Sequence, residues 1–212
     1  MPPASWGLYL VTDRQQAAGR DLLDVVGRAL TGGLRAIQLR EKDLSTRDLY
    51  DLGRRLLGLT RPAGAALLIN DRVDVAMALD ADGVHLTRRS LPPKSARDLL
   101  GPGRLIGISC HSLADVREAV DGGVDFVVLG PVYATPSKAA YGPPVTTALI
   151  EEARSACPVP LLAIGGIKTA RVPAVMAAGA DGVAAISAVM AAPDPADATR
   201  EILSAIAGAM RT

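Results

Sequence analysis

The sequence predicts an α/β protein folded as a single (β/α)8 barrel of the TIM type, with residues 1–212 forming one domain. Three observations predict it. Short β-rich runs alternate with segments of helical periodicity, the runs number eight, and the units are evenly short. No Gly-rich dinucleotide fingerprint follows the first run, where VTDRQQ stands, which favours closure over an open doubly wound sheet.

The runs are LYLVTD (8–13), AIQLRE (36–41), ALLIND (66–71), GVHLT (83–87), LIGISCH (105–111), FVVLGPV (126–132), LLAIGGI (161–167) and GVAAIS (182–187). Most are nearly continuous in apolar residues, as strands covered on both faces by helices should be. The helices between them show a face and a cap. Leu22, Val25, Val26, Ala29 and Leu30 share one face after Asp21, and Ser45 with Asp48 and Ser112 with Asp115 form capping pairs. An echo runs through TGGLRAIQL, LDADGVHL, DGGVDFVVL and AGADGVAAI. Gly33, Gly123 and Gly179 fit the left-handed position that ends a helix, and Asp82, Asp125 and Asp181 read as structural residues at the bottoms of strands.

Composition narrows the function classes. The 212 residues are 49% hydrophobic with a formal net charge of +1, so neither nucleic acid nor an anionic membrane is expected as the main partner. Any anion binding must come from local clusters. Cys110 and Cys157 lack metal-ligand spacing and read as buried thiols of a reducing cytoplasm. MPPASWGLYLVTD lacks a basic region followed by a long apolar run, and no breaker-free stretch of about 18 apolar residues occurs. No signal peptide and no membrane span are therefore expected, and the expected location is cytoplasmic.

Reactive residues of such a barrel sit at the C-terminal ends of its strands. Those positions here hold Asp13; Gln38, Arg40 and Lys42; Asn70 and Asp71; Thr87 to Ser90; Ser109 and His111; Pro131 to Lys138; Gly165 and Gly166; and Ile186 and Ser187. The set is rich in groups that bind phosphate oxygens. Gly165 and Gly166 let backbone N–H groups approach a ligand, and Ile186 and Ser187 open a short helix whose first N–H groups attract an anion. Gln38 and Arg40 alternate with Leu39 and so point into the barrel, where Arg40 and Lys42 suit a diphosphate; Asp71 is a candidate partner for Arg40. Asn70 suits a heterocycle, and Asp71 suits either Mg²⁺ or a helix cap. The loop PVYATPSKAAYGPP carries Thr135, Ser137 and Lys138 and is long enough to close over a ligand. His85 reads as a satisfied interior histidine and His111 as a local structural one.

Taken in order, LYLVTD, QLREK, LLINDRVDVA, ADGVHL, IGISCH, VLGPVYATPSK, AIGGI and AGADGVAAIS resemble the thiamine phosphate synthase superfamily over nearly the whole chain. The resemblance implies a (β/α)8 barrel and a Mg²⁺-dependent transfer. A pyrimidine methyl diphosphate loses pyrophosphate, and its methylene carbon joins the nitrogen of a thiazole phosphate. By that likeness Gln38, Arg40, Lys42 and Asn70 hold the pyrimidine diphosphate. Ser109 and Lys138 lie near the departing group, with Arg40, Lys42, Ser109 and Lys138 as the catalytic set. Asp71 ligates Mg²⁺, and Thr135, Ser137, Gly166, Ile186 and Ser187 hold the thiazole phosphate. The implied partners are these two small molecules; a homo-oligomer is admitted.

One departure stands out. The family carries an acidic second Mg²⁺ ligand after the fourth strand, whereas HLTRRSLPP puts Ser90 there, preceded by Arg88 and Arg89. Losing a carboxylate and gaining two cations weakens Mg²⁺ binding. Either an arginine contacts the diphosphate directly, or the chain does not perform the transfer. Thiazole tautomerases share the barrel, but the resemblance puts their catalytic histidine just after the sixth strand, where this chain has Pro131. A binding protein that kept the phosphate site without the chemistry is the third alternative.

Overall fold

In the computed structural model, which describes residues 3–135 and 144–211, eight parallel strands pair in chain order and the eighth returns to the first, closing the barrel. They are β1 (Leu8–Val11), β2 (Ala36–Leu39), β3 (Ala66–Asn70), β4 (Gly83–Leu86), β5 (Leu105–Cys110), β6 (Phe126–Leu129), β7 (Leu161–Ile164) and β8 (Gly182–Ala185). Around them run α1 (Leu22–Thr31), α2 (Thr46–Thr60), α3 (Val73–Leu79), α4 (Pro93–Leu100), α5 (Leu113–Asp121), α6 (Thr146–Arg154), α7 (Val172–Ala177), the short α8 (Ser187–Met190) and α9 (Pro195–Ala209). None of the described helices is long and apolar enough to cross a membrane.

Each predicted run contains its strand, and all eight overshoot it at the C-terminal end. The reason is local. Thr12 N–H still reaches the Gln38 carbonyl at 2.9 Å, yet Asp13 leaves the ladder to cap a 3-10 turn through the Gln15 N–H. After β6, Val132 N–H crosses to the Ile164 carbonyl at 2.8 Å. Residues with strand-like composition thus bend out to form the mouth.

Alternation along the strands divides the apolar side chains into two cores. Between strands and helices lies a continuous layer that includes Leu22, Val25, Val26, Ala29 and Leu30, the predicted face of α1. Along the barrel axis lies a second cluster of Trp6, Tyr9, Val11, Ala36, Leu68, Phe126, Val128, Leu162 and Ala184. The only Trp and the only Phe of the sequence meet there with Tyr9. The Trp6 and Phe126 rings are edge-on at 5.2 Å, and those of Tyr9 and Phe126 at 5.5 Å. Gly107 stands opposite Phe126 in register, and a Cβ there would lie 2.1 Å from the ring. The absent side chain on β5 makes room for the largest one on β6.

The bottom of the barrel is braced as the sequence suggests. Asp82, Asp125 and Asp181, each one residue before an even-numbered strand, accept the N–H of Leu67, Ile106 and Leu161 at 2.8, 2.6 and 2.7 Å. Arg97 and Arg154 hold Asp125 and Asp181 from outside, both at 2.6 Å. Gly33, Gly123 and Gly179 have positive φ, Ser45 and Ser112 cap α2 and α5, and both cysteines are buried.

Candidate active site

Just below the mouth, a row of buried polar groups crosses the barrel. Gln38 Nε2 donates to Tyr9 Oη at 3.3 Å, Tyr9 Oη meets His85 Nδ1 at 3.4 Å, and His85 Nε2 meets Ser109 Oγ at 2.9 Å. Burial pushes the Tyr9 phenol well above its ordinary range and lowers His85 to about 3, the nearby positive charge of Arg40 adding to the second effect. The imidazole is therefore neutral at pH 7. Because Tyr9 accepts from Gln38, its own proton goes to Nδ1, which leaves Nε2–H to donate to Ser109. Ser109, half-buried at the end of β5, then keeps its own O–H for the mouth. His85 is the satisfied interior histidine expected.

Arg40 is half-buried at the end of β2, and its backbone N–H donates to Thr12 Oγ1 at 2.9 Å. Among the described residues, no carboxylate lies within ion-pair distance of its guanidinium, so Asp71 is not its partner. Lys42 is exposed in the turn beyond. The sequence reading passed over Glu41 between these two cations. Its carboxylate is buried and accepts from Thr12 Oγ1 at 2.7 Å and from the Arg14 N–H. The signal was present in QLREKD as an acid flanked by bases.

Asp71 closes β3 in a left-handed conformation with φ 64°, its N–H donating to the His85 carbonyl at 2.8 Å. It caps nothing: α3 starts from Arg72 without a side-chain cap, and Arg72 turns to Asp74 and Thr46. The Asp71 carboxylate is exposed, while half-buried Asn70 sits beside it. After β4, Ser90 Oγ accepts the Thr87 N–H at 2.8 Å, so this hydroxyl is occupied by its own turn. Arg88 reaches Asp115 at 3.4 Å in the first turn of α5. Arg89 is exposed, with no partner for its side chain among the described residues. His111, also exposed, contacts the Gly130 carbonyl through Nδ1, bridging the ends of β5 and β6.

Across the mouth, Gly165 and Gly166 follow β7 with φ of 103° and 62°. A Cβ on Gly166 would stand 2.8 Å from the Ala134 carbonyl oxygen, so only glycine fits there without movement. Tyr133 N–H ties to the Gly165 carbonyl at 3.0 Å, and Arg171 donates to the Gly166 carbonyl at 2.7 Å while lying over the Tyr133 ring at 4.4 Å. Tyr133 falls within the rim stretch Pro131 to Lys138, whereas Arg171 carries no sequence signal for this role. Ile186 caps α8 through its backbone, and Ser187 opens it exposed. Among the described residues, the N–H groups of Gly166 and Ser187 meet no protein acceptor. Thr135 lies at the edge of this loop; Ser137 and Lys138 fall outside the described residues.

No group of three His, Cys, Asp or Glu side chains that could hold a metal occurs among the described residues. One exposed carboxylate still suits Mg²⁺ in the manner typical of phosphate-transfer sites, where one or two protein carboxylates act with phosphate oxygens of the substrate. Two grooves of about 420 and 500 Å³ run along α2 and α3, lined by Tyr50 and Ala78 among others, and no strand-end donor named above lines either.

The chain is thus a closed eight-stranded α/β barrel with amide and cationic donors at the C-terminal ends of its strands, the face where barrels of this class carry their active sites. Residues 8–189 match the family model described as thiamine monophosphate synthase, and the chain belongs to that family. It is 53% identical over 204 residues to a putative thiamine-phosphate synthase of Geobacter sulfurreducens, with 96% of each chain covered. It is 46% identical to the thiamine-phosphate synthase of a Roseiflexus species, over 98% of this chain and 89% of that one. A solved structure of thiamine phosphate pyrophosphorylase from Pyrococcus furiosus superposes with a TM-score of 0.88 at 36% identity, covering 97% of both chains. 3-Hexulose-6-phosphate synthase, at TM-score 0.72 and 22% identity, shares the fold.

Proposed function

We propose that this chain makes thiamine phosphate from 4-amino-2-methyl-5-(diphosphooxymethyl)pyrimidine and thiazole phosphate, releasing pyrophosphate, in the cytoplasm. The observation that carries the reading is the pairing of two anion-receptive edges on one barrel mouth. Among the described residues, Arg40, free of any carboxylate partner, lies at one edge, and the N–H groups of Gly166 and Ser187, without acceptors, lie at the other. Each suits one of two phosphorylated substrates.

The chemistry follows from charge. The C–O bond of the pyrimidine methylene breaks, the diphosphate leaves with the electron pair, and the thiazole nitrogen donates its lone pair to the methylene carbon. Gln38 and Asn70 orient the pyrimidine, while Arg40, Lys42 and Lys138 receive the charge that builds on the leaving oxygens, with Ser109 donating its O–H. Thr135, Ser137, Gly166, Ile186 and Ser187 hold the thiazole phosphate. No residue has to remove a proton. Asp71 would hold Mg²⁺ when it is bound, and the ion would supply further neutralisation of the leaving group. With Ser90 in place of a second acid, Arg89 is the better placed of the two loop arginines to meet the diphosphate, since Arg88 is engaged by Asp115.

The test mixes both substrates with Mg²⁺ and looks for thiamine phosphate by mass, with the thiazole carboxylate phosphate tautomer alone as a second arm. Thiamine phosphate is expected in the first arm and no isomer in the second. Isomerisation without transfer supports a tautomerase instead, and binding without either product supports a carrier. Arg40→Ala is expected to lower kcat/KM by about 10²–10³-fold, the loss typical of one preorganised charge stabiliser, with the thermal midpoint unchanged.

A further inference from the structure

The four residues at the exit of β2 read Arg40-Glu41-Lys42-Asp43, two cations and two anions, so this stretch by itself carries no net charge. A neutral segment is a poor receiver for a diphosphate. A fifth residue, supplied by the neighbouring β1 exit, changes the balance. Arg14 Nη1 lies 3.1 Å from Glu41 Oε2, and its two terminal nitrogens each meet an oxygen of Asp43 at 2.7 Å. Its backbone N–H donates to both Glu41 oxygens at 3.2 Å, and Thr12 Oγ1 occupies Oε1 at 2.7 Å. The Glu41 side chain is only 2% exposed.

We propose that Arg14 is a positioning residue for the diphosphate half-site: it engages the carboxylates of Glu41 and Asp43, leaving the β2 exit positive toward the ligand. The inference deepens the function proposed above, since it presumes that Arg40 faces a diphosphate. Both acids turn to Arg14, and the pairing with Asp43 is the bidentate fork that fixes a carboxylate most firmly. Arg14 supplies the positive charge that engages these acids; without it the Asp43 carboxylate, in the same turn as Lys42, loses its guanidinium partner and competes with the ligand for the cations of this exit. The sequence signal is an Arg directly after VTD, far from QLREKD in the chain but adjacent to it once β1 pairs with β2.

The test compares Arg14→Ala, Asp43→Asn and the double variant, reading KM for each substrate and the binding of inorganic pyrophosphate by calorimetry. Arg14→Ala is expected to raise the KM for the pyrimidine diphosphate about 5- to 10-fold and to weaken pyrophosphate by a similar factor, leaving the KM for the thiazole phosphate unchanged. Asp43→Asn alone is expected to stay within about 2-fold. The double variant loses one charge of each sign and so keeps the wild-type net charge, and most of the lost affinity is expected to return. A merely structural role would not be rescued by removing a second side chain.

Parallel rises in both KM values, a double variant no better than Arg14→Ala, or an unchanged Arg14→Ala would each overturn the proposal. The backbone N–H of Arg14 and the Thr12 hydroxyl still hold Glu41 in Arg14→Ala. Should that variant nevertheless fail to fold, Arg14→Gln carries the same expectations. Wild-type turnover and the Arg40→Ala result test the functional reading separately. Normal turnover with an Arg40 effect and no Arg14 effect overturns this inference alone.

Discussion

The two ends of the barrel differ in which polar groups they leave unpaired. At the bottom, Asp82, Asp125 and Asp181 each accept a strand N–H, Arg97 and Arg154 close on two of them, and Trp6, Tyr9 and Phe126 fill the axis above. At the mouth, among the described residues, Arg40 has no acid partner, the Asp71 carboxylate caps no helix, and the Gly166 and Ser187 N–H groups meet no acceptor. Native proteins satisfy most of their buried polar groups, the Trp6 indole N–H on the axis being an exception here, and bottom and mouth share the same strands. The difference teaches where to look: stability is built from groups that answer one another, and a binding site from groups left for something else to answer.

If that division holds, a change at the bottom should cost stability and little chemistry. Phe126→Ala empties the axis of its only Phe, which Gly107 was shaped to admit, and is expected to cost about 3–5 kcal/mol in urea unfolding. At temperatures where the variant remains folded, KM for both substrates should hold. A large KM change at full folding would show that the two ends are coupled.

His85 lies on the border between the two regions, and acid sharpens the comparison there. Its folded pKa is depressed from 6.5 to about 3 by burial, with Arg40 contributing. Between those values the unfolded chain holds a proton that the folded chain does not, so stability rises with pH across the window and falls on acidification. The slope from this group is about 1.4 kcal/mol per pH unit. From pH 6.5 to 5, above most carboxylate titrations, His85→Gln should flatten the loss; an unchanged slope would mean that His85 is protonated in the native state.

The fold was legible because eight apolar runs and their caps repeat one local pattern, and each repeat confirms the next. The rim was legible only as position. Counting strands located Arg40, Asn70, Asp71, Gly166 and Ser187, since strand ends are fixed by the alternation itself. It gave no account of which charges answer which, because that depends on pairing between strands. Asp71 read equally as cap, metal ligand or partner of Arg40; in the folded chain it neither caps α3 nor pairs with Arg40. Arg14 and Glu41 were passed over because they lie 27 residues apart and meet only through the β1–β2 ladder. Arg171 on Gly166 was invisible for a similar reason, as a cation in a helical approach whose use depends on where Tyr133 comes to rest.

The smallest expected effect separates backbone from side chain at the far edge of the mouth. If the thiazole phosphate is held chiefly by amides, the Ser187 hydroxyl is one neutral hydrogen bond among several, and Ser187→Ala removes about 0.5–1.5 kcal/mol. That corresponds to a rise of about 2- to 12-fold in KM for the thiazole phosphate. Gly166→Ala acts differently: it forces a Cβ against the Ala134 carbonyl at a φ that L-residues rarely adopt, so the loop must move and its N–H with it. The expected order is therefore Gly166→Ala worse than Ser187→Ala, both acting on the thiazole phosphate and neither on the pyrimidine diphosphate. The reverse order would assign the phosphate to the hydroxyl, and with it would go the argument that unanswered backbone donors mark this edge of the site.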